Sequence, residues 1–262
     1  IGINAKYFHS NLALRYLAGQ LNGHHDFELV EFSINDKISD IIAVLANMRV
    51  SGYFFSVYLW NCEITLEIIS ILKRIFPQRF LVLGGPEIES RLATYQQSAA
   101  DFLCNGSAEA FILPFIQYIL GKSPLEKVAN LYFRKQGIWH YTFSQEVLGL
   151  PLYETDFNHN RYIYLETSRG CPFRCSYCLS GNDGQVHFLP MEKVDILLEK
   201  LAGRSRQFKF VDRTFNLNEQ RTLDIWHKIL SFTAETSYHF EICADLLTAK
   251  MRDWLAQKNP QN

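Results

Sequence analysis

The sequence predicts an α/β protein in which an open, doubly wound parallel sheet precedes a second, shorter series of βα units. Up to about residue 121, short runs rich in Val, Ile, Leu and Phe alternate with segments whose apolar residues recur at helical spacing. These runs show little apolar–polar alternation, which is typical of strands covered on both faces. Gly121–Pro124 breaks the rhythm, and a new strand then leads into three cysteines within eight positions.

Five β-then-α units account for residues 1–122, which we interpret as the first domain. The predicted strands are Ile1–Asn4, Phe27–Ser33, Gly52–Leu59, Arg79–Leu83 and Asp101–Leu103. The predicted helices are Leu12–Leu21, Ile38–Asn47, Glu63–Phe76, Glu87–Gln97 and Ala108–Leu120. In such a sheet a ligand is expected at the carboxyl ends of the strands.

Residues 123–160 are predicted to be a hairpin and a linker, because Asn130–Lys135 and Ile138–Phe143 flank a Gln-Gly turn. Residues 161–262 carry the second series, with strands at Tyr162–Thr167, Phe208–Val211 and Tyr238–Ile242 and helices at Met191–Ala202, Glu219–Phe232 and Leu247–Gln257. This length suits three βα units, whereas a complete eight-unit barrel takes about 250 residues. We therefore expect an N-terminal fragment of a longer, barrel-containing protein.

Composition narrows the function classes. Lys plus Arg number 26 and Asp plus Glu 27, and this balance argues against a nucleic-acid-binding protein. The most apolar run, Tyr53–Trp60, is far shorter than the roughly 20 residues of a membrane-spanning helix. No secretory signal is recognised at the start, so six cysteines indicate a reducing, cytoplasmic location in which thiols bind metal or lie buried.

The cysteines Cys171, Cys175 and Cys178 are spaced C-x3-C-x2-C. Iron–sulfur clusters normally take four cysteines, so three thiols on one tight loop indicate a cubane with one iron left open for another ligand. Zinc is the alternative, completed by His159 or His187, although structural zinc sites usually come from two separated pairs. Three structural cysteines without metal are the remaining interpretation, and closely spaced thiols of that kind would be liable to oxidation.

The cysteine motif directly after a strand, with an aromatic residue at Tyr177, resembles the radical S-adenosylmethionine (SAM) superfamily. The resemblance implies a 4Fe–4S cluster on the three cysteines, whose open iron is chelated by SAM. Reduction of that cluster would cleave SAM to a 5′-deoxyadenosyl radical. Tyr177 is then expected at the adenine of SAM.

Two later strand ends are similar to the subgroup of this superfamily whose N-terminal domain binds cobalamin. They carry Asp212, followed by Arg213-Thr214-Phe215, and Glu241, followed by Ile242-Cys243. The resemblance implies that Asp212 and Glu241 contact SAM, while Cys243 stands where many relatives have Arg. Without the resemblance, Asp212 is read as an exposed strand-end carboxylate or as an ion pair with Arg213.

The first domain is similar to flavodoxin-like cobalamin-binding domains, and the segment from Asn4 to Leu17 is most similar to a subgroup with an uncharacterised C-terminal domain. The implied cobalamin contacts are Asn4, Ser56, Tyr58, Gly84, Gly85 and Gly106. The Asp-x-His-x-x-Gly pattern that ligates cobalt in other cobalamin domains is absent, because His9 lacks both the Asp and the Gly. Loss of cobalamin binding therefore stays open as an alternative.

These features favour an oxygen-sensitive radical SAM enzyme that uses cobalamin to transfer a methyl group to an unactivated carbon. A flavodoxin or ferredoxin is the expected reductant, and the expected substrate is a small molecule or one of unknown class. Two alternatives stay open at this point: cobalamin-dependent radical chemistry other than methylation, and a non-catalytic module that senses cobalamin or metal.

Overall fold

The computed structural model of the chain describes residues 1–23, 25–143, 161–178, 184–232 and 236–257. The described residues up to 143 form one compact unit, and those from 161 form another. In the part of the chain that is described, no helix combines the length and the apolar character needed to cross a bilayer.

The first unit contains a seven-stranded sheet in the order β2-β1-β3-β4-β5-β6-β7. Its strands are β1 (Gly2–Asn4), β2 (Glu31–Ser33), β3 (Gly52–Ser56), β4 (Phe80–Gly84), β5 (Phe102–Cys104), β6 (Leu131–Lys135) and β7 (Ile138–Thr142). The first five run parallel, and their 2-1-3-4-5 order is that of flavodoxin-like folds. The predicted doubly wound α/β fold is therefore confirmed.

The predicted hairpin is present, and it extends the sheet. Strand β6 pairs antiparallel with β5, and β7 pairs with β6. Gln136 and Gly137 both adopt positive φ angles, of 52° and 80°, which suits the two-residue turn that joins the strands. The sheet thus continues past residue 122, and the rest of the predicted linker, residues 144–160, lies outside the described residues.

Helices cover both faces of this sheet. They are α1 (Leu12–Leu21), α2 (Ile38–Asn47), α3 (Cys62–Ile75), α4 (Glu87–Ser90), α5 (Leu92–Gln96) and α6 (Ala108–Ile119). Along β3, Tyr53 and Phe55 join the core under α2 and α3, whereas Phe54 packs with Phe115 of α6. Because successive side chains of a strand point to opposite faces, this alternation explains why Tyr53, Phe54 and Phe55 follow one another with no polar residue between them.

The prediction of one continuous helix over Glu87–Gln97 is wrong, because the segment forms two short helices. Arg91 has φ −126° and ψ 31°, which lies outside helical values and divides the segment into α4 and α5. The Arg91 guanidinium lies 2.9 Å from a carboxylate oxygen of Glu63 and 2.9 Å from the sulfur of Cys62. These contacts accompany the break, and no local sequence pattern indicates them.

The second unit begins with a three-stranded parallel sheet in the order β12-β11-β8. Its strands are β8 (Ile163–Leu165), β11 (Gln207–Phe210) and β12 (Ser237–His239), and its helices are α7 (Met191–Leu201), α8 (Glu219–Leu230) and α9 (Ala249–Gln257). Adjacent order and parallel direction are what successive βα units of a barrel produce. An antiparallel pair that the sequence did not predict, β9 (Ser168–Gly170) with β10 (Val186–Phe188), brackets the cysteine segment.

Candidate functional site

The carboxyl ends of β1, β3, β4 and β5 lie at one edge of the first sheet. Ser56 pairs with Gly84, which pairs in turn with Cys104. The last residues of β3, β4 and β5 are therefore aligned, and the loops that follow these strands start side by side. All six predicted cobalamin contacts occur here. They are Asn4, Ser56 and Gly84 at strand ends, and Tyr58, Gly85 and Gly106 just beyond them.

Asn4 is buried and is committed to contacts within the protein. Its side-chain amide donates hydrogen bonds to the backbone oxygen of His9 and to Glu31, both at 3.0 Å. Glu31 also accepts from the backbone N–H of Asn11 at 2.6 Å and pairs with Arg15 at 2.8 Å. Asn4 therefore fixes the loop that carries His9.

Glu31 remains an anion in this network. Burial alone would raise the pKa of its carboxyl group. The hydrogen bonds and charge of Arg15, together with the hydrogen bonds from Asn4 and Asn11, outweigh burial and hold that pKa below its usual range. The ion pair is well enclosed, since the side chains of Arg15 and Glu31 are 13% and 5% exposed.

The loop after β3 is organised by Asn61, whose structural role the sequence did not reveal. This fully buried side chain accepts a hydrogen bond from the Tyr58 backbone at 2.8 Å and donates to the backbone oxygens of Ile3 and Ser56 at 2.9 and 3.0 Å. The Tyr58 and Trp60 rings stack at 4.5 Å. The loop thereby presents an aromatic pair at the sheet edge, with Trp60 half exposed.

The three glycines at this edge differ in whether the fold requires a glycine at that position. At Gly85 φ is 118°, and a Cβ would lie 2.3 Å from the backbone oxygen of Val57, so the fold itself demands glycine. Gly106 also has a positive φ, of 112°. At Gly84 the backbone is not left-handed, and a Cβ would meet only Cys104 at 3.5 Å, an ordinary contact. The described protein packing therefore does not require glycine at Gly84.

In the second unit, the cysteine segment starts directly after β9. Cys171 is buried, with its sulfur 3.4 Å from the Thr214 hydroxyl, whereas Cys175 is exposed and Cys178 is partly buried. The Cys178 backbone N–H donates to Cys175 at 3.0 Å, which closes a turn. Among the described residues, no group of three or more His, Cys, Asp or Glu side chains converges to hold a metal ion. The cluster ligands therefore stay a prediction.

Asp212 lies at the end of β11 and is almost fully buried, so its interpretation as an exposed carboxylate is wrong. It accepts hydrogen bonds from the Thr167 backbone at 2.7 Å, the Thr167 hydroxyl at 2.5 Å and the Ser168 hydroxyl at 2.9 Å. Burial raises the pKa of Asp212, and these hydrogen bonds offset only part of that effect. Asp212 thus holds the segment that leads into Cys171.

Arg213 faces Glu241 rather than Asp212, which corrects the ion pair considered from the sequence. Its guanidinium lies 3.7 Å from the Glu241 carboxylate, and both side chains are about half exposed. Tyr177 is 89% exposed. The predicted SAM contacts thus include two accessible side chains, Tyr177 and Glu241, and one buried carboxylate.

Two further residues that sequence reasoning missed brace this region. Arg221 of α8 donates to the backbone oxygens of Thr167 and Leu189, both at 2.8 Å, and burial lowers the pKa of its guanidinium. Buried Asn216 exchanges two hydrogen bonds of 2.8 Å with the backbone of Cys243. An Asn after a strand end was visible in the sequence, but nothing local identified its distant partner.

A surface cavity of about 350 Å³ lies at the opposite, amino end of β5. Lys73, Asp101 and Arg134 are among its lining residues, and Lys73 already pairs with Asp101 at 2.8 Å. It contains none of the predicted cofactor contacts.

Residues 1–112 match the family model described as the B12 binding domain. The chain is 23% identical over 233 residues to the uncharacterized methyltransferase PH0819 of Pyrococcus horikoshii, a match that covers 82% of this chain and 51% of that protein. The chain therefore spans about half the length of this relative.

Two solved structures share the fold. The cobalamin-dependent SAM radical enzyme OxsB, with aqua-cobalamin and SAM bound, matches 90% of this chain and 37% of its own with a TM-score of 0.75 and 16% identity. The radical SAM methyltransferase TsrM of Kitasatospora setae matches 88% of this chain and 50% of its own, with a TM-score of 0.68 and 17% identity. The predicted resemblance is thus confirmed: residues 1–112 match the B12 binding domain, and the chain has the fold of cobalamin-dependent radical SAM enzymes.

Proposed function

We propose that this protein is a cobalamin-dependent radical SAM enzyme that transfers a methyl group to an unactivated carbon. The observation that carries the proposal is the joint presence of the B12 binding domain match over residues 1–112 and the C-x3-C-x2-C motif on the loop after β9. When bound, cobalamin supplies a carrier for the methyl group, and the cluster supplies the electron that cleaves SAM.

The edge of the first sheet fits cobalamin on two features of its own residues. Gly84 leaves a position without a side chain that packing does not explain, and the side-chain oxygen of Asn105 is buried without a partner among the described residues. A ligand that approaches the backbone and carries amide hydrogens suits both. Ser56, Tyr58, Gly84, Gly85 and Gly106 would line it, while Asn4 would shape the neighbouring loop.

We expect no imidazole on the lower face of cobalt. The Asp-x-His-x-x-Gly pattern that supplies a cobalt-ligating histidine in other cobalamin domains is not present around His9. The loop of Tyr58–Asn61 would line the cobalamin instead, and the cofactor would supply the carrier for the methyl group.

This expectation is tested by electron paramagnetic resonance of the protein loaded with cob(II)alamin. The expected spectrum shows no hyperfine splitting from a protein nitrogen. Splitting that disappears in His9→Ala would contradict the absence of a histidine ligand.

Three thiols at this spacing suit a 4Fe–4S cluster with one open iron. The role of the surrounding residues is to hold the segment before Cys171: Asp212 binds Thr167 and Ser168, and Arg221 binds the Thr167 carbonyl. Tyr177 and Glu241 are accessible for SAM, with Tyr177 expected at the adenine, and buried Asp212 is the residue expected within reach of the methionine end. The expected partners are a flavodoxin or ferredoxin as reductant and a small-molecule substrate in the cytoplasm, with no role in nucleic-acid binding.

The test is anaerobic reconstitution followed by iron and sulfide quantitation and a SAM cleavage assay. Transfer of isotopic label from methyl-labelled SAM to product supports methylation, whereas SAM cleavage without label transfer would indicate other radical chemistry. Cobalamin or metal binding without any SAM cleavage would identify a sensing module instead.

A further inference from the structure

The side chain of Asn105, directly after β5, holds an unused hydrogen-bond acceptor. Its Oδ1 is buried and has no partner among the described residues. The backbone N–H of Asn105 already donates to the carbonyl of Asn130, the residue before β6, at 2.8 Å, so the main chain here is held in place. Buried polar atoms in proteins are nearly always paired, and an exception needs a reason.

The position of this oxygen points to a ligand. Asn105 follows Cys104, which pairs with Gly84, the position where packing leaves glycine unexplained. Gly106 follows with a φ of 112°, so the chain turns sharply after the Asn105 side chain. An acceptor and an empty Cβ position therefore occur on adjacent strand ends, at the edge where doubly wound sheets bind ligands.

We propose that Asn105 binds cobalamin by accepting a hydrogen bond from one of its N–H or O–H groups, an inference that rests on the proposed cobalamin binding. An amide oxygen accepts and does not donate, so the complementary atom must carry a hydrogen. Cobalamin offers such hydrogens in two places, the amide side chains of the corrin ring and the nucleotide tail with its linker. The affinity of the protein for cobalamin should therefore depend on a hydrogen bond from one of these donors to Asn105.

The experiment is a titration of the purified protein with hydroxocobalamin, followed by visible absorption and by calorimetry. Asn105→Leu keeps the approximate size and removes the acceptor, and we expect the dissociation constant to rise about tenfold because the cofactor's donor is left unpaired. Asn105→Asp keeps an acceptor and is expected to stay within about threefold of the wild type. Asn35→Leu, on an exposed residue after β2, is the matched control and should bind normally.

Cobinamide, which lacks the nucleotide tail, locates the donor. If Asn105→Leu weakens cobalamin but not cobinamide, the hydrogen comes from the tail; if it weakens both, the hydrogen comes from the corrin. Asn105→Ala replaces the leucine variant if circular dichroism shows that the latter does not fold. Unchanged cobalamin affinity in folded Asn105→Leu or Asn105→Ala overturns the inference, whereas failure of the wild type to bind cobalamin overturns the proposed cobalamin function itself.

Discussion

The two candidate cofactor regions are built differently. At the edge of the first sheet, buried amides and a buried ion pair fix each loop: Asn61 holds the loop after β3, and Asn4 with Glu31 holds the loop after β1. At the cysteine segment, Asp212 and Arg221 fix only the approach to Cys171, while Cys175 is exposed. The first region is thus shaped by contacts within the protein, whereas the three thiols of the second do not converge among the described residues. If the proposed cluster binds, it would gather them, a coupling common in metal sites.

The largest effect is expected at the thiols. Cys175→Ala should abolish both cluster assembly and SAM cleavage, because a cubane with two protein ligands lacks an anchor. Iron and sulfide content after anaerobic reconstitution, together with the cleavage assay, measures this loss. Cys243→Ala is the control and should retain the cluster. Stoichiometric zinc without iron in the wild type would contradict the cluster assignment.

Alanine substitutions at the adjacent Gly84 and Gly85 should distinguish a glycine that the cofactor requires from a glycine that the protein's own packing requires. Gly85→Ala should lower the free energy of unfolding by more than about 2 kcal/mol, since the new Cβ meets the Val57 carbonyl in a left-handed backbone conformation. Gly84→Ala should leave stability within about 1 kcal/mol but weaken cobalamin binding at least about tenfold. Denaturant unfolding and cofactor titration measure the pair. Normal cobalamin affinity in Gly84→Ala would show that this position is not part of the site.

Substitution of Asp212 measures how much its hydrogen bonds to Thr167 and Ser168 stabilise the second region. Asp212→Ala should lower the free energy of unfolding by about 2 kcal/mol, because the hydroxyl and amide donors of Thr167 and Ser168 lose their acceptor. It should also weaken SAM binding while iron content stays normal. Glu241→Ala, which removes a half-exposed carboxylate, should cost less than about 1 kcal/mol. Unchanged SAM affinity in the Asp212 variant would remove that residue from the SAM site.

The smallest effect is a pH dependence confined to the first region. The pKa of Glu31 is lower in the folded protein than its ordinary value of 4.5. Its contribution to stability is therefore complete above that ordinary value and is lost as the pH falls through the lower, folded pKa. Glu31→Gln should remove this component from the acid side of the stability profile measured by denaturant unfolding. An identical acid profile in wild type and variant would contradict the anionic network.

The local spacing of apolar residues predicted those helices and strands whose bounds depend on residues near them in the sequence. Helices α1 and α2 begin and end where the apolar spacing places them. The junction of β6 with β5 escaped prediction because strand pairing depends on residues about 30 positions apart. The division of the predicted helix at Arg91 was also missed, and the contact that accompanies it joins Arg91 to Glu63, 28 residues away.

The candidate site shows the same limit. Sequence reasoning proposed Gly84, Gly85 and the three cysteines from residue type and position, and Asp212 from the resemblance to a known family. It could not assign Asn4 to the Glu31 network or separate the two glycines, because those distinctions arise from a partner 27 residues away and from the Val57 carbonyl. It also missed Arg221 and the bracing role of Asn61, since both depend on the backbone oxygens that these side chains contact.

The hairpin of β6 and β7 determines which piece of this chain can be moved into another protein with its sheet intact. Its first strand occupies the outer edge of β5, and its Asn130 carbonyl fastens the Asn105 backbone. A module cut at residue 112 would leave β5 as a bare hydrogen-bonding edge, open to pairing with other chains. Domain shuffling, in the laboratory or in evolution, should therefore carry the sheet intact only when the cut falls beyond Phe143.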